Sequence, residues 1–520
     1  MTETPGNKVL LKKMHPIGMR LGLICGDGLP VSGVLTVFRS IFDLGRREGL
    51  LDAVVPTDLG FSWRPDRESY FPGGSQSLQA PAWMQLSAIR VTDNAEVTRL
   101  RDMIIRIEHN RPLAELGNTA RKEQLSLSSR LGNLFYEYYL NWLIDASIDW
   151  VIAANMTLPD ASPVTWALYA AAQAYYSARG KGGIVFWDHD LFASCGALAD
   201  DGSRVYPVHP SELMFVPRSN GVTHWVVVSE ELAAETKSYP TSLTPQVVPN
   251  ILPRITTDKL ASRHIEFANQ FKLHPGRPII LNPVRLTRVK GVHLAVQLLA
   301  GMKHKATLNG SKIPYLLIFG MRDEDPSYAQ EVAELVGHLG LYDDVRFLDG
   351  VPISSYHSAC DGWRLDQVDL CQLAQASRGG VAFTPGVSDV ESVGLGPGLA
   401  GAASVPCAVA QYNTLEKIYS AGMYLLRFPS YPEAAFTAGQ EFALVLHRFM
   451  SGDRDLMRLL NMNQNIISER FPEQGWRALL VHLAGQLDNA GPIAPRSAAV
   501  RIAFQASQSL VGRPIKRCPR

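Results

Sequence analysis

Short apolar runs recur along the chain, each ending in a charged or glycine-rich turn and most followed by apolar residues at helical spacing. This alternation predicts strands and amphipathic helices in turn, and so a mainly parallel sheet with helices on its faces. In the first half, residues 20–25 read as a strand, 34–47 as a helix and 52–55 as a second strand. Helices at 95–110 and 123–146 come next, then a strand at 150–155, a helix at 164–178 and a strand at 183–187. A strand at 225–229, a helix at 230–237 and an extended piece at 246–249 complete this half.

Near residues 253–257 the pattern restarts. Strands are predicted at 278–281, 315–319, 345–348, 381–384 and 407–409, with helices at 292–302, 328–339, 415–420 and 433–450. A separate helical signal covers 471–487. The expected division is therefore a first α/β unit over 1–254, a second over 255–470, and a closing segment over 471–520. Its helix is placed to cross back to the first unit, and its end, with Arg513, Lys516, Arg517 and Arg520, reads as a solvated basic tail.

A length of 520 residues is more than one ordinary core holds, which agrees with two units. Hydrophobic residues at 46% and charged residues at 19% mark a globular chain. With a formal net charge of +1 there is no bulk field to draw nucleic acid or an anionic membrane. The six cysteines (Cys25, Cys195, Cys360, Cys371, Cys407, Cys518) are scattered without a CxxC pair, which argues against a zinc site or disulfide framework and for a reducing cytoplasm. Residues 1–13 are polar, and no run reaches the roughly 18 apolar residues of a membrane span. The expectation is a soluble cytoplasmic protein, with a homo-oligomer left open.

Two turns carry the chemistry. The first, Asn282-Pro283-Val284-Arg285-Leu286-Thr287-Arg288-Val289-Lys290-Gly291, follows an apolar strand and sets Arg285 and Lys290 five residues apart. Arginine grips phosphate bidentately and lysine adds a movable point charge, so the pair suits a diphosphate. Arg288 between them reads as solvent-facing. In the second, Glu391-Ser392-Val393-Gly394-Leu395-Gly396-Pro397-Gly398, a carboxylate stands beside backbone amides that glycine leaves open to a ligand. Ligands of open α/β sheets bind at the carboxyl ends of the strands, where both turns fall.

With these motifs the chain resembles the retaining glycosyltransferases of family four. Their Arg-x-x-x-x-Lys-Gly is matched by Arg285 and Lys290-Gly291, and their Leu-x-Ile-x-Gly strand by Leu316-Leu317-Ile318-Phe319-Gly320. Leu339-Gly340-Leu341 with Val345-Arg346-Phe347-Leu348, and Thr384-Pro385 with Glu391-Ser392-Val393-Gly394, continue the order. In the first half, Ser32-Gly33 stands at the family's glycine loop, Phe186-Trp187-Asp188-His189-Asp190-Leu191 is similar to a Trp-His-His-Asp-Leu variant, and Val248-Pro249-Asn250 matches a Val-Pro-Asn.

The resemblance implies a GT-B fold, two Rossmann-like domains whose parallel sheets face across a cleft. It implies transfer of a sugar from a GDP- or UDP-linked donor to a small-molecule acceptor, with no cofactor and no metal. Arg285 and Lys290 are then the diphosphate clamp, and Glu391 and His189 hold the sugar. Ser32, Gly33, Gly320, Ser392, Val393, Gly394 and Leu395 line the donor. His189, flanked by two acids, is expected to be partly charged.

Two positions depart from the family. Leu399 stands where a second glutamate binds ribose, and Asn155 where many members place a histidine. Divergent first-half segments (57–92 and 191–222) suit an acceptor from specialised metabolism such as antibiotic formation. A thiol acceptor such as ergothioneine, an epimerase acting on a nucleotide sugar, and a non-catalytic binding subunit are the other readings. Asp188-His189-Asp190 and Asp323-Glu324-Asp325 also match the Asp-x-Asp metal motif of the GT-A fold. The second reads better as the acidic first turn of a helix.

Overall fold

A computed structural model describes residues 18–488, apart from 27, 29–30, 65–68, 71–77, 88–116, 195–207, 211–213, 257–258 and 387–390. The predicted helix at 95–110 and the basic tail lie outside the described residues. The first sheet contains β1 (Leu21–Cys25), β2 (Val55–Asp58), β3 (Met84–Leu86), β4 (Trp150–Ala154), β5 (Gly183–Asp188), β6 (Thr223–Val227) and β7 (Gln246–Val247), in the order 3-2-1-4-5-6-7. Every pair is parallel, with β4 in register on β1 (Leu23 beside Ile152) and on β5 (Ile152 beside Val185). Helices α1 (Gly33–Arg47), α2 (Asn118–Asp145), α3 (Ser162–Arg179) and α4 (Glu230–Glu235) accompany it. β5 is buried along its whole length, which is why it reads as an unbroken apolar run rather than an alternating one.

Helix α5 (Ser262–Gln270) leads into the second half. There β8 (Ile279–Asn282), β9 (Tyr315–Ile318), β10 (Val345–Phe347), β13 (Gly380–Phe383), β14 (Cys407–Ala410) and β15 (Leu426–Phe428) form a second parallel sheet, in the order 10-9-8-13-14-15. A small antiparallel hairpin, β11 (Tyr356–Ser358) with β12 (Gly362–Arg364), stands apart from it. The helices of this half are α6 (Val292–Asn309), α7 (Pro326–His338), α8 (Gln367–Ala376), α9 (Leu395–Ala402), α10 (Leu415–Tyr419), α11 (Pro432–Met450) and α12 (Arg454–Arg470). The second strand starts later than the pattern predicts. Asp52 is drawn into an ion pair with Arg20 and Val54 points outward, so the buried run begins at Val55.

The last helix, α13 (Glu473–Asp488), packs on the first sheet although it follows the second in sequence. Trp476 is fully buried, its ring edge-on to Trp187 of β5 at 5.2 Å. Trp150 Nε1 of β4 donates to the Leu483 carbonyl at 3.1 Å. At the rim, Arg47 reaches Glu473 and Arg477 reaches Glu48. Among the described residues no helix is long and apolar enough to cross a membrane.

Trp476→Ala should remove about 3–5 kcal/mol of stability, the usual cost of emptying a buried aromatic site. A denaturant midpoint equal to that of the unmodified chain would show that α13 is not integral to the first sheet.

Candidate active site

The carboxyl ends of both sheets open into one cavity of about 460 Å³. That volume is within the range of small-molecule sites, ~300–1,000 Å³. From the first sheet come Gly26 after β1, Asn155 after β4, and His189 and Asp190 after β5; from the second come Arg285 and Lys290 after β8, Phe319 after β9 and residues 391–396 after β13. Ser32 and Gly33 begin α1, where Ser32 Oγ accepts from the Leu35 amide at 3.2 Å. Across the cavity, a Cβ built on Gly33 would lie 3.7 Å from Leu395 at the start of α9. The first turns of α1 and α9 thus face each other.

On the floor of the second sheet each cation has a carboxylate. Lys290 Nζ lies 2.5 Å from Glu391 Oε1, and Arg285 Nε donates to Glu324 Oε2 at 2.7 Å. Gly291 fixes the turn: its φ is +61°, and a Cβ there would come within 2.2 Å of the Thr384 carbonyl. The Val393 and Gly394 carbonyls accept from two buried phenols, Tyr412 Oη at 3.1 Å and Tyr419 Oη at 2.6 Å respectively. Ser392, Val393, Gly394 and Leu395 all line the cavity. Gly320 does not; a Cβ on it would meet the Leu286 amide nitrogen at 2.0 Å, so its bareness lets the end of β9 pack on the arginine turn. Arg288 is exposed and pairs with Glu331.

The acidic run 323–325 divides its work. Asp325 caps α7, accepting from the Tyr328 amide at 3.1 Å, while Glu324 is buried against Arg285. The expectation of a plain acidic first turn is corrected there, because the arginine offers the glutamate a partner beneath the surface. Leu399, on α9, is buried and also lines the cavity.

His189 differs from its expected state. It is 7% exposed, its ring lies 4.4 Å from that of Trp187, and its Nε2 has no hydrogen-bond partner among the described residues. Burial pushes its pKa down to about 3, so the imidazole is neutral near pH 7 and not partly charged. The flanking acids do not offset this, because their carboxylates bond elsewhere. Asp188 Oδ2 accepts from Trp225 Nε1 at 2.8 Å, while Asp190 turns to Asn155. Among the described residues no three His, Cys, Asp or Glu side chains are grouped to hold a metal ion.

Asn155, which the sequence marks only as a departure, is the adapter of the first-sheet wall. With φ at +51°, its amide donates to the Trp187 carbonyl at 2.9 Å. Its Oδ1 accepts from the His189 amide at 2.7 Å and from the Asp190 amide at 3.3 Å. A short polar side chain that tolerates the left-handed region suits this position. Asp190 is held above the ordinary carboxylate range by burial, against the pull of Lys290 and Ser392 across the cavity.

No protein-family model and no curated protein sequence matches the chain. Solved structures do. Sucrose-phosphate synthase from Thermosynechococcus elongatus aligns over 90% of this chain and 99% of its own, with a TM-score of 0.54 at 12% identity. The trehalose-6-phosphate phosphatase N-terminal domain of Candida albicans aligns over 91% and 100%, with a TM-score of 0.50 at 11% identity. The fold is of the GT-B type. At such identities the likeness speaks for architecture, and chemistry must be argued from the site.

Burial pushes Asp188 up to about 7 from an ordinary 3.8. Folding therefore favours the protonated acid, and ionisation costs stability increasingly between those two values. Asp188→Asn, which keeps an acceptor for Trp225, should gain thermal stability over the unmodified chain from about pH 4 to pH 7 and hold that gain above. A melting-temperature difference that does not change with pH would refute it.

Proposed function

We propose that the chain is a retaining, metal-independent glycosyltransferase, moving a sugar from a GDP- or UDP-linked donor to a small-molecule acceptor. The observation that carries this reading is the cation pair at the end of β8, each member held on a carboxylate, facing a buried neutral histidine across the cavity. Two cations aimed at a departing diphosphate stabilise the charge that develops there and take the part a divalent ion otherwise plays. The amides at the start of α9 add to the same field.

On this reading the donor's phosphates draw Lys290 from Glu391, whose carboxylate then accepts from sugar hydroxyls. His189, being neutral, offers a hydrogen bond to the sugar without opposing positive charge at the reacting carbon. The acceptor attacks the anomeric carbon from the face the diphosphate leaves. Its O–H (or S–H) bond breaks as the new glycosidic bond forms, and the proton passes to a departing phosphate oxygen. An acceptor from specialised metabolism, oxygen- or sulfur-linked, suits the divergent first-half segments, of which Trp63 and Arg64 line the cavity.

A thermal-shift series with UDP, GDP, ADP and dTDP should show one nucleotide raising the melting temperature most. With that donor, Arg285→Ala should lower kcat about 10²–10³-fold with little change in KM, and activity should survive excess EDTA. Arg285→Ala also strands the buried Glu324, so Arg285→Ala/Glu324→Gln separates lost chemistry from lost folding. Unchanged kinetics in both variants would overturn the assignment.

A further inference from the structure

Asn250 belongs to the segment that leaves the first sheet for the second. Its side chain lines the cavity, the residue is 2% exposed, and neither Nδ2 nor Oδ1 has a hydrogen-bond partner among the described residues. A buried amide with both ends unmet is costly, and native structures rarely keep one without a use. The backbone around it is fixed. Val248 donates to the Val227 carbonyl at 2.9 Å, Ile251 is buried, and Leu252 packs on α9 at Gly398. Asn250 is thus held beside the helix whose first turn borders the cation pair.

The amide's chemistry narrows what it meets. It offers an acceptor at one end and a donor at the other. A phosphate only accepts and an ammonium only donates, so either leaves one end unmet. Two adjacent hydroxyls, each able to do both, satisfy the whole group. We infer that Asn250 binds a vicinal diol of the nucleotide sugar, a deduction that rests on the transferase reading above. The diol belongs either to the nucleoside ribose or to the transferred sugar.

Calorimetric titration of the full chain distinguishes the two. The ligands are whichever of UDP or GDP binds better, its 2′,3′-dideoxy analogue, and the corresponding nucleotide-linked glucose or mannose. In the unmodified chain either the diphosphate should bind about tenfold or more tighter than the dideoxy form, or the sugar-linked form should bind that much tighter than the diphosphate. Asn250→Leu should close that gap. Closure of the first gap assigns the diol to ribose, closure of the second to the transferred sugar. The unliganded variant should melt no lower than the unmodified chain, since an unmet amide is replaced by an apolar group. Asn250→Ala repeats the comparison if leucine proves too large to fold. Both gaps intact in the variants, or a lower melting temperature with binding preserved, would overturn the inference and make Asn250 structural. Failure of the unmodified chain to bind any nucleotide would instead overturn the transferase reading, and this one with it.

Discussion

Lys290 and Arg285 stand partly exposed at the end of β8, and the surroundings are arranged so that neither charge is left unbalanced. Their carboxylates are more deeply placed than they are. The Glu324 side chain is 1% exposed against 36% for Arg285, and that of Glu391 is 11% against 24% for Lys290. A buried ion stripped of its partner costs several kcal/mol, so these pairs constrain everything built around them. The tight turn through Gly291, the close packing of Gly320 on Leu286 and the two tyrosines that hold residues 393–394 all keep a cation in reach of its acid. Such a pair is also exchangeable. An incoming anion would replace the carboxylate at the cation without leaving either charge in an apolar setting, because Glu391 lies in the same cavity.

The same balance joins the two halves of the molecule. Asp190, from the first sheet, lies in the field of Lys290 and Ser392 from the second. Further along the cleft, Arg39 of α1 donates to the Ile353 carbonyl at 2.5 Å and to Asp366 Oδ2 at 2.8 Å. Asp366 also caps α8 through the amides of Val368 and Asp369, so the contact from the first half ends on a rigid element of the second. Helix α13 closes the arrangement from behind by returning the chain to the first sheet. Facing walls of a cavity hold their spacing only if the bodies carrying them are tied in this way.

How far this was legible follows from what each element's pattern encodes. The central strands of both sheets are buried on two faces and stand out as apolar runs ended by turns, and the long helix α11 shows its periodicity plainly. Strand β15, of three residues, and the hairpin β11–β12, which is only partly buried, carry too little pattern to separate from loop. Helix α12 was missed because polar residues crowd its sequence, although its few buried positions (Leu456, Leu460, Asn463, Ile467) lie on one face. That Arg285, Lys290, Glu391 and His189 line one cavity was legible because motif spacing and chain order are sequence properties. Glu324 and Asn155 were not, since one acts through a contact 39 residues away and the other through the ends of two strands that are neighbours only in the sheet. The charge of His189 was misjudged for a related reason: adjacent residues at a strand's end point apart, so nearness in sequence to two acids says little about the field at the ring.

A division of labour emerges from the cavity's polar groups. Arg285 and Lys290 stand where a leaving group's charge would grow, and each has a resident counter-ion. Neutral ones, the His189 imidazole and the Asn250 amide, are buried with polar atoms unmet among the described residues. An unmet neutral dipole costs less to bury than an unmet ion, so it is the affordable kind of group to hold ready for a ligand. It also discriminates more sharply, because a ligand without the matching hydroxyl leaves that cost standing while a small ion can recover hydration. On the transferase reading proposed above, the cations account for affinity and turnover, whereas recognition of one sugar over another lies with these two neutral groups.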